Sequence, residues 1–154
     1  MSIVQGWLPG ARVLDLFAGS GALGLEALSR GAAQAEFIEQ ASSSLRALRG
    51  NIETLGAGDR THVRRADALR VLGRLEREEF NVAFADPPYD RGLAGRVASR
   101  WLEVPFATVL VVEHSVREAM PPGGATRTYG STALTVYRLP AEESAPRVAE
   151  GGAS

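Results

Sequence analysis

A glycine-rich segment, residues 15–24 (DLFAGSGALG), has the composition of a loop that binds a nucleotide cofactor. Gly19, Gly21 and Gly24 fit the pattern G-x-G-x-x-G, in which glycines let a ligand approach the backbone where a side chain would block it. Glu39 follows about 20 residues later, where an acid would hold ribose hydroxyls. Together, the loop and the acid predict a cofactor that contains adenosine.

Asp15 bears on which adenosine cofactor the loop would bind, because the glycine spacing and Glu39 do not decide it. Its carboxylate precedes the turn, close enough to face a cationic or amino-bearing ligand. A pyrophosphate would be repelled there, whereas the methionine ammonium of S-adenosylmethionine would be attracted. Asp15 therefore favours S-adenosylmethionine over NAD.

A second segment that could do chemistry is Asp86-Pro87-Pro88-Tyr89. Its two prolines stiffen the backbone and remove two N–H donors, so that the remaining polar groups are acceptors: the Asp86 carboxylate and nearby carbonyls. By accepting both hydrogens of an exocyclic amine on a purine or cytosine, these acceptors would free the nitrogen lone pair to attack a sulfonium methyl group. Asp86 can also receive the proton lost after transfer. Tyr89 offers an aromatic face on which the base can stack, worth about 1–3 kcal/mol.

Alternating strands and helices must position both segments. Alternating apolar residues and apolar runs predict strands at residues 12–17, 34–39, 61–65, 80–85 and 107–112, followed by a hairpin of strands 125–129 and 133–139 joined through Gly130-Ser131. Helical spacing predicts helices at 22–29, 42–55 and 93–102, and a further helix capped by Asp67 that carries Leu69, Leu72 and Leu75.

These βα repeats predict an α/β fold with three layers, α/β/α, around a mostly parallel sheet that ends in an antiparallel hairpin. Strand 80–85 is almost wholly apolar, as expected at the centre of a sheet covered on both faces. One domain is expected over residues 1–139. Residues 140–154 consist mainly of Ala, Glu, Pro, Gly and Ser, and we expect them to be disordered.

The composition excludes several classes of site. The 154 residues contain no cysteine, which excludes disulfides, thiolate metal sites and cysteine nucleophiles. His62 and His114 have no partners at metal-ligand spacing, so we expect both to be structural and no metal to be bound. Without a signal peptide or an apolar run of membrane-spanning length, a cytoplasmic location away from membranes is expected. The net charge of −1 does not indicate a nucleic-acid binder.

Three segments together resemble one protein family: residues 15–32 (DLFAGSGALGLEALSRGA), the DPPY tetrapeptide and residues 128–139 (TYGSTALTVYRL). DPPY matches the signature of nucleic-acid amino-group methyltransferases, Asn/Asp-Pro-Pro-Tyr/Phe/Trp. Within that group, residues 3–139 resemble the bacterial 16S ribosomal RNA guanine-N2 methyltransferases, which modify guanine 966. The resemblance implies a Rossmann-like class I fold with a seven-stranded sheet, and S-adenosylmethionine as methyl donor with S-adenosylhomocysteine as product. It also implies 16S rRNA or an assembling small ribosomal subunit as partner. We expect the chain to be a monomer.

The resemblance also implies roles for individual residues. Asp15, Gly19 and Gly21 would surround the methionine part of the cofactor, with Phe17 in the same cofactor-binding loop. Glu39 would hold the ribose, and Asp67 with Ala68 would lie beside the adenine. From the sequence, Asp67 is open to two roles, helix cap and adenine contact, and one side chain can serve both.

The chain departs from the family at its N-terminus. Family members carry an N-terminal extension with a basic hairpin and a further cofactor-contacting motif, whereas Met1 here falls just ahead of Trp7-Leu8-Pro9-Gly10. We therefore expect a misassigned start or a truncated chain, and incomplete RNA binding by this polypeptide.

Three other functions fit parts of the pattern. A DNA adenine-N6 or cytosine-N4 methyltransferase shares DPPY but usually needs a target-recognition domain, for which 154 residues leave no room. An NAD-dependent oxidoreductase could use the glycine loop but needs a catalytic acid or base near the nicotinamide. A module that only senses S-adenosylmethionine would leave DPPY without a purpose.

Overall fold

One seven-stranded sheet organises residues 1–140, the part of the chain that the computed structural model describes. Its strands are β1 (Arg12–Leu16), β2 (Gln34–Glu39), β3 (Thr61–Arg65), β4 (Phe80–Ala85), β5 (Ala107–Ser115), β6 (Ala125–Tyr129) and β7 (Thr132–Arg138). They lie in the order β3-β2-β1-β4-β5-β7-β6. The first five strands are parallel, and β7 pairs antiparallel with both β5 and β6. The predicted mostly parallel sheet with a terminal hairpin is confirmed.

Four α-helices cover the two faces of the sheet within the described residues. They are α1 (Ala22–Ser29), α2 (Ser42–Thr54), α3 (Ala68–Leu72) and α4 (Leu93–Glu103). Successive strand residues point to opposite faces, so β1 sends Val13 into a core with α1 and α2 but Leu14 into a core with α3 and α4. The predicted three-layer arrangement is therefore confirmed. Because the first five strands are parallel, their carboxyl ends lie at the same edge of the sheet.

The boundaries of three strands differ from the prediction, and for β7 (Thr132–Arg138) the difference is a shift of one residue toward the N-terminus. β5 continues three residues past the predicted end at residue 112, because β7 pairs along it from Val109↔Arg138 to Ser115↔Thr132. β1 ends at Leu16 rather than at residue 17, since Phe17 has a φ of 57° and leaves the extended conformation. The extension of β5 places Glu113 at the carboxyl edge of the sheet.

Two helices also end earlier than predicted. α2 stops at Thr54, which leaves Leu55 63% exposed rather than on the buried apolar face. α3 stops at Leu72, although Leu75 still packs in the same core. A short 3-10 helix, Ser2–Trp7, precedes β1 and buries Val4 against the α1 and α2 side.

Several predictions concern features outside the glycine loop and the DPPY turn. His114 is buried, with Nε2 at 2.7 Å from Thr135 Oγ1 and Nδ1 at 2.9 Å from the Ser115 carbonyl, which is a structural role. Among residues 1–140, every helix is too short or too polar to span a lipid bilayer. The predicted disorder of residues 140–154 concerns a segment that, apart from Pro140, lies outside the described residues.

Candidate active site

An open crevice of about 700 Å³ lies at the carboxyl edge of β1, β2, β3 and β4. All of the predicted site residues except Asp15 and Gly21 line it, namely Phe17, Gly19, Glu39, Asp67, Ala68, Asp86, Pro87, Pro88 and Tyr89. A groove of similar volume, about 710 Å³, lies against α3 and α4 and contains none of the predicted residues. The two segments singled out in the sequence therefore open into one cavity.

Gly19 and Gly21 are glycines for different physical reasons. Gly19 has a φ of 57°, and the space beside its Cα is open to the crevice, with no atom within 4 Å of where a Cβ would stand. Gly21 has a φ of 86°, and a Cβ there would collide with the Leu48 side chain of α2. Gly19 thus shapes the crevice, whereas Gly21 permits the loop to pack on a helix.

Glu39 ties the glycine loop to the end of β2. Its Oε1 accepts the Gly19 N–H at 2.7 Å, and its Oε2 accepts the N–H groups of Gln40 and Ala41 at 3.2 and 3.0 Å. Because Oε1 receives only one of these bonds, it keeps capacity to accept a ribose hydroxyl. Glu39 therefore holds the glycine loop against the end of β2 and is also a candidate ribose ligand.

Asp15 lies behind the glycine loop rather than in the crevice. Its side chain is 1% exposed, and its Oδ2 accepts the N–H of Gly24 at 3.0 Å. Burial raises the pKa of Asp15 to about 8; the Gly24 hydrogen bond opposes this shift, and the charges of Asp86 and Glu39 add to it. A direct contact with a methionine ammonium stays a prediction, and the contact that the structure provides is to the backbone of α1.

Asp67 caps α3, as predicted. Its Oδ1 accepts the Leu69 N–H at 3.0 Å, which satisfies one of the free donors of the first helical turn. Asp67 and Ala68 also line the crevice beside the apolar residues Ile38 and Leu69. The second role, a contact with adenine, remains a prediction that this position allows.

Asp86 follows the last residue of β4 and is accessible from the crevice. Even so, surrounding protein atoms displace enough water from the carboxyl group to raise its pKa to about 6, and the charge and hydrogen bond of Glu113 contribute to the rise. A carboxyl group with this pKa is half ionised near pH 6 and can exchange a proton at neutral pH.

Tyr89 is held by two residues that sequence reasoning missed. Its hydroxyl donates to Glu113 Oε2 at 3.1 Å and lies 3.1 Å from Thr132 Oγ1. The Thr132 hydrogen bond lowers the pKa of Tyr89, but burial and Glu113 together raise it. One signal for Glu113 existed in the sequence, a single acid directly after the apolar run 107–112, while nothing local distinguishes Thr132.

The charge of the crevice limits which cofactors fit. Three lining residues are acids (Glu39, Asp67 and Asp86), and Arg91 is the single cation that lines it in the part of the chain described. Such a lining suits a cationic, amino-bearing molecule with ribose hydroxyls to donate, and it disfavours a pyrophosphate. Within residues 1–140, no group of three or more His, Cys, Asp or Glu side chains is arranged to hold a metal ion.

Comparisons with known proteins agree with this geometry. A family model described as Conserved hypothetical protein 95 matches residues 1–138. The Bacillus subtilis (strain 168) protein YlbH is 32% identical over 148 residues, which span 89% of this chain and 80% of YlbH. Ribosomal RNA small subunit methyltransferase D of Haemophilus influenzae is 33% identical over 134 residues, covering 82% of this chain and 69% of that enzyme.

A solved structure extends the agreement to three dimensions. The Escherichia coli protein yhhF superposes with a TM-score of 0.76 at 32% identity, covering 89% of this chain and 80% of that one. The predicted Rossmann-like methyltransferase fold is thereby confirmed. Together with the glycine loop, the DPPY turn and their common crevice, these matches assign the chain to the family of the ribosomal RNA small subunit methyltransferase D proteins.

Proposed function

We propose that this chain is an S-adenosylmethionine-dependent methyltransferase that modifies the exocyclic N2 amine of a guanine in 16S rRNA, at position 966. One observation carries the proposal: the acceptor-rich DPPY turn and the Glu39-pinned glycine loop open into a single acidic crevice. The family relationship supports an RNA acceptor. The acidic lining supports a cationic methyl donor over NAD.

The residues on one side of the crevice are suited to hold the cofactor. Gly19 and Phe17 present the loop, Glu39 offers Oε1 to a ribose hydroxyl, and Asp67 with Ala68 borders the space for the adenine. S-adenosylmethionine, when bound there, supplies a methyl group on a positively charged sulfur and leaves as S-adenosylhomocysteine. No metal is required for such a transfer.

The residues on the other side are suited to orient the amine. The Asp86 carboxylate and nearby carbonyls accept its two hydrogens, because the following prolines offer no N–H donors in competition. Once the new C–N bond has formed, the nitrogen carries one proton too many. Asp86, with its pKa raised to about 6, takes that proton and releases it to solvent.

The acceptor is tested by offering the protein small-subunit RNA from cells that lack their endogenous enzyme. Labelled S-adenosylmethionine should transfer its methyl group to one guanine, and nucleoside analysis should identify N2-methylguanosine. Transfer to adenine or cytosine, or preference for DNA, would contradict the proposed acceptor. Offering free RNA and assembled particles in parallel identifies the partner, and light scattering checks the proposed monomer.

The cofactor is tested separately by calorimetry. S-adenosylmethionine and S-adenosylhomocysteine should bind to the protein without RNA, and NAD should not. If the chain were instead an NAD-dependent oxidoreductase, NAD should bind and S-adenosylmethionine should not.

A further inference from the structure

Side chains from three distant segments meet at the hydroxyl of Tyr89: Tyr89 itself after β4, Glu113 on β5 and Thr132 on β7. We propose that Glu113 and Thr132 are positioning residues for methyl transfer, which fix the Tyr89 ring for the acceptor base. The proposal rests on the proposed function of the crevice, although part of its test does not require an RNA substrate.

The two strands present Glu113 and Thr132 on a common face. Glu113 pairs with Leu134 in the antiparallel ladder, and directly opposed residues project from the same face of a sheet. Thr132 lies two residues before Leu134 and therefore shares that face. Both groups are thus anchored in paired strands at the carboxyl edge of the sheet, which makes them stable supports for a loop residue.

The directions of the hydrogen bonds define the orientation of the phenol. The hydroxyl proton of Tyr89 goes to Glu113 Oε2, so its oxygen is free to accept the Thr132 hydroxyl proton. Beyond its two prolines, the loop provides little restraint on the phenol ring: Tyr89 is 36% exposed, and the backbone bends sharply at Asp90 and Gly92, with φ values of 63° and 69°. Holding the ring by its tip leaves an aromatic face available for stacking.

The charge and hydrogen-bonding capacity of Glu113 also contribute to the raised pKa of Asp86. Neighbouring carboxylates repel each other, and binding one proton between them removes the repulsion. The other groups that interact with Asp86 are Asp15 from β1 and Tyr89 from its own loop, and Arg91 lines the same crevice. Glu113 is the largest side-chain influence on Asp86 and the one that also binds Tyr89.

Three substitutions separate the two effects. Glu113→Gln keeps an acceptor for the Tyr89 hydroxyl but removes the negative charge beside Asp86. Thr132→Val removes the hydroxyl at Tyr89 and changes no charge. Glu113→Leu removes both the acceptor and the charge. Matched controls are Glu103→Gln and Thr128→Val, which alter exposed residues on α4 and β6 away from the crevice.

Steady-state methylation of small-subunit RNA is then measured from pH 5 to pH 9, alongside thermal unfolding and S-adenosylmethionine affinity. Glu113→Gln should shift the acid limb of kcat to lower pH by ~1 unit, because Asp86 loses a neighbouring charge. Thr132→Val should lower kcat/KM for RNA ~3- to 10-fold without moving that limb. Glu113→Leu should show both changes. All three should leave S-adenosylmethionine affinity within about 2-fold of the parent.

A carbon-13 NMR titration of the Asp86 carboxyl group, without RNA, separates this proposal from the proposed function. Its midpoint should fall in Glu113→Gln whether or not the correct RNA is at hand. An unchanged midpoint and acid limb in folded Glu113→Gln would overturn the role of Glu113 on Asp86. Parent-like kcat/KM in Thr132→Val and Glu113→Leu would overturn the positioning of Tyr89. Absence of methyl transfer with a shifted midpoint would instead count against the RNA function alone.

Discussion

The two sides of the crevice are held in place by different kinds of hydrogen bond. On the cofactor side, formed by the glycine loop and Glu39, a carboxylate accepts hydrogen bonds from backbone N–H groups. On the acceptor side, formed by the DPPY turn, side chains bind to other side chains. Glu39 accepts from Gly19, Gln40 and Ala41, and these three partners are main-chain donors. Tyr89, in contrast, depends on the side chains of Glu113 and Thr132. Main-chain donors persist when neighbouring side chains change, so these contacts on the cofactor side depend on the single side chain of Glu39. The acceptor side can be tuned one side chain at a time.

This difference predicts that substitutions on the two sides have separable effects, and Asp86→Ala should have the largest. Removal of the acceptor carboxylate should lower kcat by about 10²- to 10⁴-fold, because the group acts mainly in the transition state. S-adenosylmethionine affinity, measured by calorimetry, should stay close to that of the parent. Asp59→Ala, an exposed acid in the 3-10 turn Gly58–Arg60, is the matched control. A comparable loss of cofactor affinity in Asp86→Ala would remove the distinction between the two sides.

Glu39→Ala should produce the converse result. Loss of a charged acceptor should weaken S-adenosylmethionine binding about 10- to 100-fold, equivalent to ~1.5–3 kcal/mol. The N–H groups of Gly19, Gln40 and Ala41 also lose their acceptor, so thermal stability should fall as well. Glu53→Ala on the exposed face of α2 serves as control. Unchanged cofactor affinity would show that Glu39 only holds the glycine loop in place and does not bind the ribose.

Tyr89 allows a comparison within the acceptor side. Tyr89→Ala should lower kcat/KM for RNA by about 5- to 150-fold, since stacking is worth ~1–3 kcal/mol per base. Tyr89→Phe retains the ring and loses the bonds to Glu113 and Thr132, so its loss should be only about 3- to 10-fold. Equal losses in both variants would replace the stacking role with a role for the hydroxyl itself.

The last prediction concerns the stability of the fold rather than activity, and it is made at Asp15. The pKa of Asp15 is about 8 in the folded chain against an ordinary value of 3.8, so between about pH 4 and pH 8 the folded state holds a proton that the unfolded state releases. Stability should therefore decrease as pH rises through this window. Asp15→Asn, neutral at every pH, should lack this part of the decrease.

Denaturant unfolding of both chains at several pH values checks the prediction at Asp15. Asp86, with a pKa of about 6, also makes the free energy of unfolding decrease as the pH rises to about 6, and it does so in both chains. The difference between the two slopes therefore isolates Asp15. Identical slopes would mean that Asp15 is ionised in the folded protein.

The same difference between the two sides explains how much the sequence could predict. The glycine loop, Glu39 and the Asp67 cap are encoded over short distances, so their positions followed from local pattern and turn chemistry. Glu113 and Thr132 lie 24 and 43 residues beyond Tyr89, and their contact with it depends on where β7 enters the sheet. The hairpin itself was predicted, but its register against β5 was not, because pairing between strands is set by the assembled sheet.

The insertion of β7 between β5 and β6 has a consequence for the order of events during synthesis. A chain that emerges N-terminus first presents β6 before β7, yet among residues 1–140 β6 pairs only with β7. For a short interval β6 is therefore a strand without a partner. Its sequence, ATRTY, is polar and carries an arginine, which discourages pairing with another nascent chain. The strand that then pairs with β6 is β7, and it also carries Thr132. The acceptor side is therefore complete only after all residues of the cofactor side have been synthesised.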